Sequence, residues 1–325
     1  MSEQTSGGAG EAGRPHVSVI IAAYNAAEYI GETLASVFAQ TFSGYEVLVV
    51  NDGSEDAEEL ARALAPYRGR IIYLEQENQG LAAARNTGLR AARGHYAAFL
   101  DADDLWEPDY LKEQFEFIVA GSHDLVYTDA LLFGDSALAG RRFMEVAPSA
   151  GEVTFESLMR GECNVIGSGV FARKAALFDA GLFDTGLRNA QDFDLWIRMV
   201  LRGCRLAYQR KVLVRYRYRE GSLSGDAVNR VRRELRVYGK IRDQYELSPA
   251  QRAEVVAAIR RMEGELNLVE GKEHLARGDF ARARESLARA DSLRPGWRLK
   301  GARLLLRLSP RLLLRLARGR LRTEP

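Results

Sequence analysis

From Val17 to Leu100 short β-branched runs alternate with amphipathic stretches. The run Val17-Ser18-Val19-Ile20-Ile21 precedes a helical stretch over 28–40, and Glu46-Val47-Leu48-Val49-Val50 precedes one over 55–65. Ile71-Ile72-Tyr73-Leu74 is followed by a third over 81–92, and Tyr96-Ala97-Ala98-Phe99-Leu100 closes the series. Strands that are apolar on both faces and separated by helices predict a parallel sheet with helices packed on either side. This is α/β architecture of the nucleotide-binding kind, which takes its ligands at the carboxyl ends of the strands. The polar signatures sit at those ends: Tyr24-Asn25 after the first strand, Asn51-Asp52-Gly53-Ser54 after the second and Asp101-Ala102-Asp103-Asp104 after the fourth.

The regularity breaks down over 124–218. Short strands are expected at 125–127, 169–171 and 212–214 and a helix over 190–201, completing the sheet and the far side of a cleft. Beyond Asp226 the pattern is helical, with stretches over 228–245, 249–277 and 280–290. The organisation expected is a disordered tail over 1–15, an α/β domain over 16–225, a helical module over 226–296 and a basic amphipathic tail over 297–325. Within the module, Gly278-Asp279 makes a turn, and Ala283 and Ala290 are small enough for paired helices to approach, which looks like one tetratricopeptide-type hairpin. It serves as a cap on the domain or as a surface for a protein partner.

At 325 residues, 46% hydrophobic and 28% charged, the composition is that of an ordinary globular protein. The net charge of +2 hides an asymmetry, because residues 297–325 carry nine Lys or Arg against one Glu and the remainder sums to about −6. Two cysteines, Cys163 and Cys204, are too few for a disulfide framework and are expected to be reduced. The four scattered histidines argue against zinc, so any metal is expected to be hard and oxygen-bound. The first fifteen residues lack an apolar core, so no signal peptide is read there, and arginines interrupt the longest apolar run, Leu304 to Leu316. The expected location is cytoplasmic, peripheral on the inner face of a membrane.

Three aspartates within four residues at a strand end repel one another unless a cation neutralises them, as when Mg2+ or Mn2+ bridges protein carboxylates to a diphosphate. The same cluster before Pro108 also suits a helix start, where acidic residues favour the helix dipole. Both readings stand on these residues alone.

The ordered set of Val17 to Asn25, Val49-Val50-Asn51-Asp52-Gly53-Ser54, Asn78-Gln79-Gly80 with Ala84-Arg85-Asn86, and Asp101-Ala102-Asp103-Asp104 resembles the family-2 glycosyltransferases, whose fold is called GT-A. The resemblance runs from Val17 to about Ser224. It implies a metal-dependent, inverting enzyme that moves a sugar from a nucleotide-sugar donor, a UDP-sugar, to a saccharide or lipid-linked acceptor in surface polysaccharide or glycan synthesis. Ala22, Tyr24 and Asn25 would line the nucleotide, with Tyr24 against the uridine, and Asp52 would accept the base imide hydrogen. Arg85 would help hold the nucleotide, Asp101 would meet the ribose or sugar, and Asp103 would hold Mn2+ or Mg2+.

The segment Asn189-Ala190-Gln191-Asp192-Phe193-Asp194 resembles the family's Glu-Asp motif, which makes Asp192 the expected general base. Gln191 stands where many relatives have Glu, which removes one source of like-charge repulsion on Asp192. Capping the helix is the plainer role for Asp192, and Asp194 is expected to be structural. The stretch Tyr216 to Ser224 resembles the family's closing loop with Arg219 in place of a histidine. Arginine cannot ligate a cation but can grip phosphate.

In the basic end, Lys300, Arg303, Arg307, Arg311, Arg315, Arg318 and Arg322 recur every three or four residues with leucines between them. On a helix split or kinked at Pro310 this sets a cationic stripe beside an apolar face, a pattern suited to an anionic membrane surface over 297–322. Nucleic acid is not expected, because aromatic residues do not accompany the arginines. A non-catalytic nucleotide-sugar-binding scaffold, recruiting partners through its helical end, is the alternative to an enzyme; it would not need both Asp103 and Asp192.

Overall fold

A computed structural model describes residues 15–188, 190–218 and 227–321. The tail expected over 1–15 lies, except for Pro15, outside the described residues, as does Arg219.

Eight strands form one sheet: β1 Val17–Ala23, β2 Tyr45–Asp52, β3 Ile72–Gln76, β4 Tyr96–Asp101, β5 Leu105–Trp106, β6 Leu125–Gly134, β7 Phe171–Arg173 and β8 Leu206–Tyr218. Their order is β3-β2-β1-β4-β7-β6-β8-β5. The first half, β3 to β4, is parallel throughout, as the alternation of strands and helices predicts. In the second half β7 runs antiparallel to β4 and β6, and β5 antiparallel to β8, so the sheet as a whole is mixed. These antiparallel pairs join strands far apart in the chain, whereas helices alternate with the parallel strands of the first half, as parallel crossovers need.

Alternate residues of β1 enter two different cores. Val17, Val19 and Ile21 pack with Ile30, Leu34, Leu60, Tyr110 and Leu111 on one face of the sheet. Ile20 points to the other face, where Leu48, Phe99, Leu89, Leu195, Trp196 and Ile197 gather. Helices Ile30–Phe38, Ala57–Leu64 and Tyr110–Ala120 therefore cover the first face, and helices Leu81–Ala91 and Gln191–Leu201 help cover the second.

The second core also takes in Val237, Ile241, Val255 and Ala258, from helix Ala227–Gln244 and the first half of helix Pro249–Ala276. These helices are thus part of the wall of the α/β body. A separate small core, made of Leu275, Ala283, Leu287 and Leu306, begins only at the far end of the long helix. There Gly278 (φ +79°) turns the chain into helix Phe280–Leu293. A Cβ at Gly271 would stand 2.7 Å from the Leu287 side chain, so a glycine as well as Ala283 and Ala290 sets the close approach of the hairpin. Pro310 follows a break at Ser309 between helices Trp297–Leu308 and Pro310–Leu321. No helix of the described residues is long and apolar enough to cross a membrane. Both cysteines are free.

Candidate active site

Strand register brings the motifs together. Ala22 lies opposite Val50 on one side and Asp101 on the other, and Ala23 opposite Asn51, so the ends of β1, β2 and β4 open onto one place. Tyr24 and Asn25 follow immediately. Asn25 is held in the left-handed region (φ 50°), where its Oδ1 accepts from the Glu55 amide at 2.8 Å and its own amide donates to Ser54 Oγ at 3.1 Å. Tyr24 remains exposed, its hydroxyl 3.3 Å from Glu55.

Asp52 is buried and turned toward the loop after β3. Its carboxylate accepts from Gln76 Nε2 (2.7 Å) and the amides of Gln79 (2.9 Å) and Gly80 (2.8 Å), taking three of about four acceptor positions. Gly53 is required beside it: its φ is +67°, and a Cβ would stand 2.7 Å from the Asn78 amide nitrogen. The Asn78-Gln79-Gly80 motif is therefore the loop that Asp52 holds.

Arg85, on the first turns of helix Leu81–Ala91, is buried and donates from Nη2 to Asp101 Oδ1 at 2.7 Å. Gly167 forms a floor shared by Arg85 and Asp192: a Cβ there would lie 3.3 Å from Arg85 Nη2 and 4.0 Å from Asp192 Oδ2. Asp101, Arg85 and Asp192 thus converge, although they come from widely separated parts of the chain. Burial raises the Asp192 pKa above its ordinary 3.8, the Arg85 guanidinium opposes this, and the charge of Asp101 adds to the rise. Its Oδ1 accepts from the Phe193 amide at 2.8 Å, so Asp192 also contributes to the helix start.

The acidic cluster divides into three roles. Asp101 is salt-bridged to Arg85. Asp104 is buried, accepting from Ser168 Oγ at 2.5 Å and from the Arg217 amide at 2.7 Å. Burial first, and then the charges of Asp101 and Asp103, hold its carboxyl well above the usual carboxylate range. Asp103 lies half-buried between them. A short strand, β5, follows the cluster before helix Tyr110–Ala120, so these aspartates do not cap a helix. Among the described residues, no group of three or more His, Cys, Asp or Glu could hold a metal ion by itself. The crowded carboxylates nonetheless fit a hard cation shared with phosphate, since Mg2+-type ions commonly take one or two carboxylates and complete their shell with phosphate oxygens and water.

Sequence reasoning passed over three participants. Ser168, fully buried, donates to Asp104 and accepts from the Asp101 amide at 3.2 Å, while its carbonyl accepts from Trp106 Nε1 at 2.8 Å. Arg217, at the end of β8, donates from Nε to the Asp103 carbonyl at 2.8 Å and from Nη2 to Glu32 at 2.6 Å. Its guanidinium lies 4.4 Å from the Phe133 ring centre. Its position two residues before Arg219 in a tyrosine-arginine alternation was the available signal. Lys240 is the third: Nζ lies 2.8 Å from Asp194 and 2.6 Å from Asp184.

The family model described as "Glycosyl transferase family 2" matches residues 18–178. TuaG of Bacillus subtilis, described as a putative teichuronic acid biosynthesis glycosyltransferase, is 30% identical over 239 residues, covering 70% of this chain and 89% of TuaG. The chain belongs to glycosyltransferase family 2. Glycosyltransferase GlyA of Streptococcus pneumoniae is 34% identical over 218 residues, covering 64% of this family-2 chain but only 31% of GlyA. The chain spans about a third of the length of GlyA and of several other curated relatives it matches.

Among solved structures, S. aureus TarS 1-349, also solved with UDP and with UDP-GlcNAc, matches with a TM-score of 0.61 at 20% identity, covering 94% of this chain and 91% of that one. The mannosyltransferase PcManGT of Pyrobaculum calidifontis, solved with GDP-Man and Mn2+, matches with a TM-score of 0.63 at 20% identity, covering 94% and 86%. At such identity the likeness is one of fold, and that fold is GT-A.

Proposed function

We propose that the protein is an inverting, metal-dependent glycosyltransferase that moves a sugar from a UDP-sugar to a saccharide or lipid-linked acceptor in surface polysaccharide or glycan synthesis. The observation that carries this is the convergence of Asp101, Arg85 and Asp192 over Gly167, beside Asp103 and Asp104 at the end of β4. The acceptor oxygen forms a bond to the anomeric carbon while the bond from that carbon to the diphosphate oxygen breaks. Asp192 takes the hydroxyl proton, and the electron pair leaves with the nucleoside diphosphate. A raised pKa makes Asp192 a better proton acceptor.

On the donor side, Tyr24 offers an exposed ring to the base, Asp52 keeps one acceptor position for its imide hydrogen, and Ala22 and Asn25 shape the wall between them. Arg85 orients Asp101 toward the ribose or sugar. Asp103 would hold Mn2+ or Mg2+, which when bound neutralises charge on the leaving diphosphate. Arg219, outside the described residues, is assigned to the same phosphates. PcManGT, solved with Mn2+, and TarS, solved with UDP-GlcNAc, lend support to these donor and metal assignments. The test is a panel of UDP-, GDP- and dTDP-sugars scored for Mn2+- or Mg2+-dependent binding and slow donor hydrolysis. Folded protein that binds none of them would overturn the reading.

The same reading places the enzyme at the cytoplasmic face of an anionic membrane through its C-terminal helices. Trp297, Leu304, Leu308, Leu312 and Leu316 are exposed, while Leu306 fills the small core from the opposite side of its helix. No acidic residue interrupts helices Trp297–Leu308 and Pro310–Leu321, as a surface facing anionic lipid requires. Flotation with phosphatidylglycerol vesicles is expected for the full chain and lost without residues 297–325; unchanged flotation would refute this placement.

A further inference from the structure

A cavity of about 420 Å³ opens at Asp192, within the usual range for small-molecule sites. One of its walls is helix Ala227–Gln244, which presents Arg233, Glu234 and Tyr238 to it. The opposite wall carries Phe193 and Trp196 from the helix that begins at Gln191. The Phe193 and Tyr238 rings meet at a tilt of 56° across the join, with centres 5.4 Å apart. Trp196 Nε1 is buried and has no hydrogen-bond partner among the described residues.

The helix wall is held in register with Asp192 by charge. Lys240 reaches Asp194, two residues beyond Asp192, at 2.8 Å, and the Tyr245 hydroxyl donates to the same carboxylate. Asp194 is fully buried and pairs with Arg198 at 2.9 Å as well. The wall and the first turn of helix Gln191–Leu201 are therefore tied together at one carboxylate.

We infer that this cavity is the acceptor pocket and that helix Ala227–Gln244 selects its occupant, a neutral pyranose ring presented to Asp192. This rests on the transferase reading above. Aromatic rings offer apolar faces to the C–H face of a sugar, while Arg233 and Glu234 supply donors and acceptors for hydroxyls. The charge of the lining decides against an acidic sugar: among the described residues that line the cavity, two carboxylates, Asp192 and Glu234, face one guanidinium, Arg233, and the Arg85 guanidinium beside Asp192 is already paired with Asp101. A uronic acid would bring a third carboxylate into that space.

The test is saturation-transfer NMR on the full chain with methyl β-D-glucopyranoside, methyl β-D-galactopyranoside and methyl β-D-glucuronide, with UDP binding measured in parallel. At least one neutral glycoside is expected to bind, more tightly than the glucuronide. Tyr238→Ala is expected to weaken that binding about tenfold with UDP affinity unchanged, and Tyr238→Phe to keep it within about twofold. Should Tyr238→Ala fail to fold, Glu234→Gln serves instead, expected to narrow the preference for the neutral glycoside over the glucuronide. No glycoside binding by the wild type, preference for the glucuronide, or full binding by Tyr238→Ala would each overturn the inference. UDP binding that persists in those cases leaves the transferase reading standing, and absent UDP binding counts against that reading instead.

Discussion

The sheet end formed by β1, β2 and β4 and the wall formed by helices Gln191–Leu201 and Ala227–Gln244 meet at one cleft, but they are held by different forces. At the sheet end, polar side chains are satisfied by backbone amides close by in the motif loops: Asp52 by Gln79 and Gly80, Asn25 by Glu55. Across the cleft, position depends on buried charge between distant segments, with Asp194 shared by Arg198, Lys240 and Tyr245. The first arrangement follows from local turns and strand register. The second exists only once helix Ala227–Gln244 has docked, and removing one of its members leaves a buried charge less well compensated.

The sharpest way to break this comparison is at Asp192, where the two sides touch. Asp192→Asn should lower transfer by about 10^2 to 10^4-fold while leaving donor binding intact, measured by initial rates and by titration with UDP-sugar. Equal transfer by variant and wild type would rule Asp192 out as base. Next in size, Lys240→Met should cost about 3 kcal/mol in urea unfolding, because Asp194 keeps only part of its compensation, and Lys240→Arg should recover a portion. A cost near zero would mean that the helix wall is held by apolar packing alone.

On the sheet side, Asp103→Asn should weaken Mn2+-dependent donor binding by roughly tenfold or more and leave metal-free binding little changed. Gly53→Ala tests the loop itself. The positive φ and the approach to Asn78 should cost about 1–3 kcal/mol and reduce donor affinity, read by calorimetry. The smallest effect expected is in the pH profile. Because Asp192 acts deprotonated and its pKa is raised, the acid limb of kcat/KM should lie above the ordinary aspartate value of 3.8, with activity falling as pH drops through it. Arg85→Met removes the charge that opposes the rise, so the limb should move further up; a downward move would refute the coupling.

Much of the sheet side was legible. The alternation from Val17 to Leu100 located the parallel strands and their crossover helices to within a few residues, because strands buried on both faces must be apolar throughout. It was also sufficient to place Tyr24, Asp52 and Asp101 at one edge, since ladder register carries neighbouring strand ends to the same level. Pairings that span long stretches of chain leave no periodic trace. Ser168, 64 residues from Asp104, had no motif around it, and Arg217, 113 residues from Asp104, looked like part of a tyrosine-arginine alternation. Asn86 is intermediate. Its place in a motif was visible, but not that its side chain bonds both the amide and the carbonyl of Phe183, joining the two sides of the cleft.

The helical end shows the same division. Gly278-Asp279 and the small residues at Ala283 and Ala290 announced a hairpin, because turns and close approach need particular residue types. Composition also marked the change to helix near residue 226. It could not tell that Val237, Ile241, Val255 and Ala258 would enter the core of the α/β body, because an apolar helix face does not specify which surface covers it.

By itself, then, the sequence determined the family, the parallel half-sheet and the identities of the acidic and aromatic groups at its edge, all carried by contiguous segments. The tertiary structure decided which carboxylate is buried, which is salt-bridged and which side chains wall the space at Asp192. Those properties depend on desolvation and on charges brought together from distant parts of the chain, and both arise only when the chain packs.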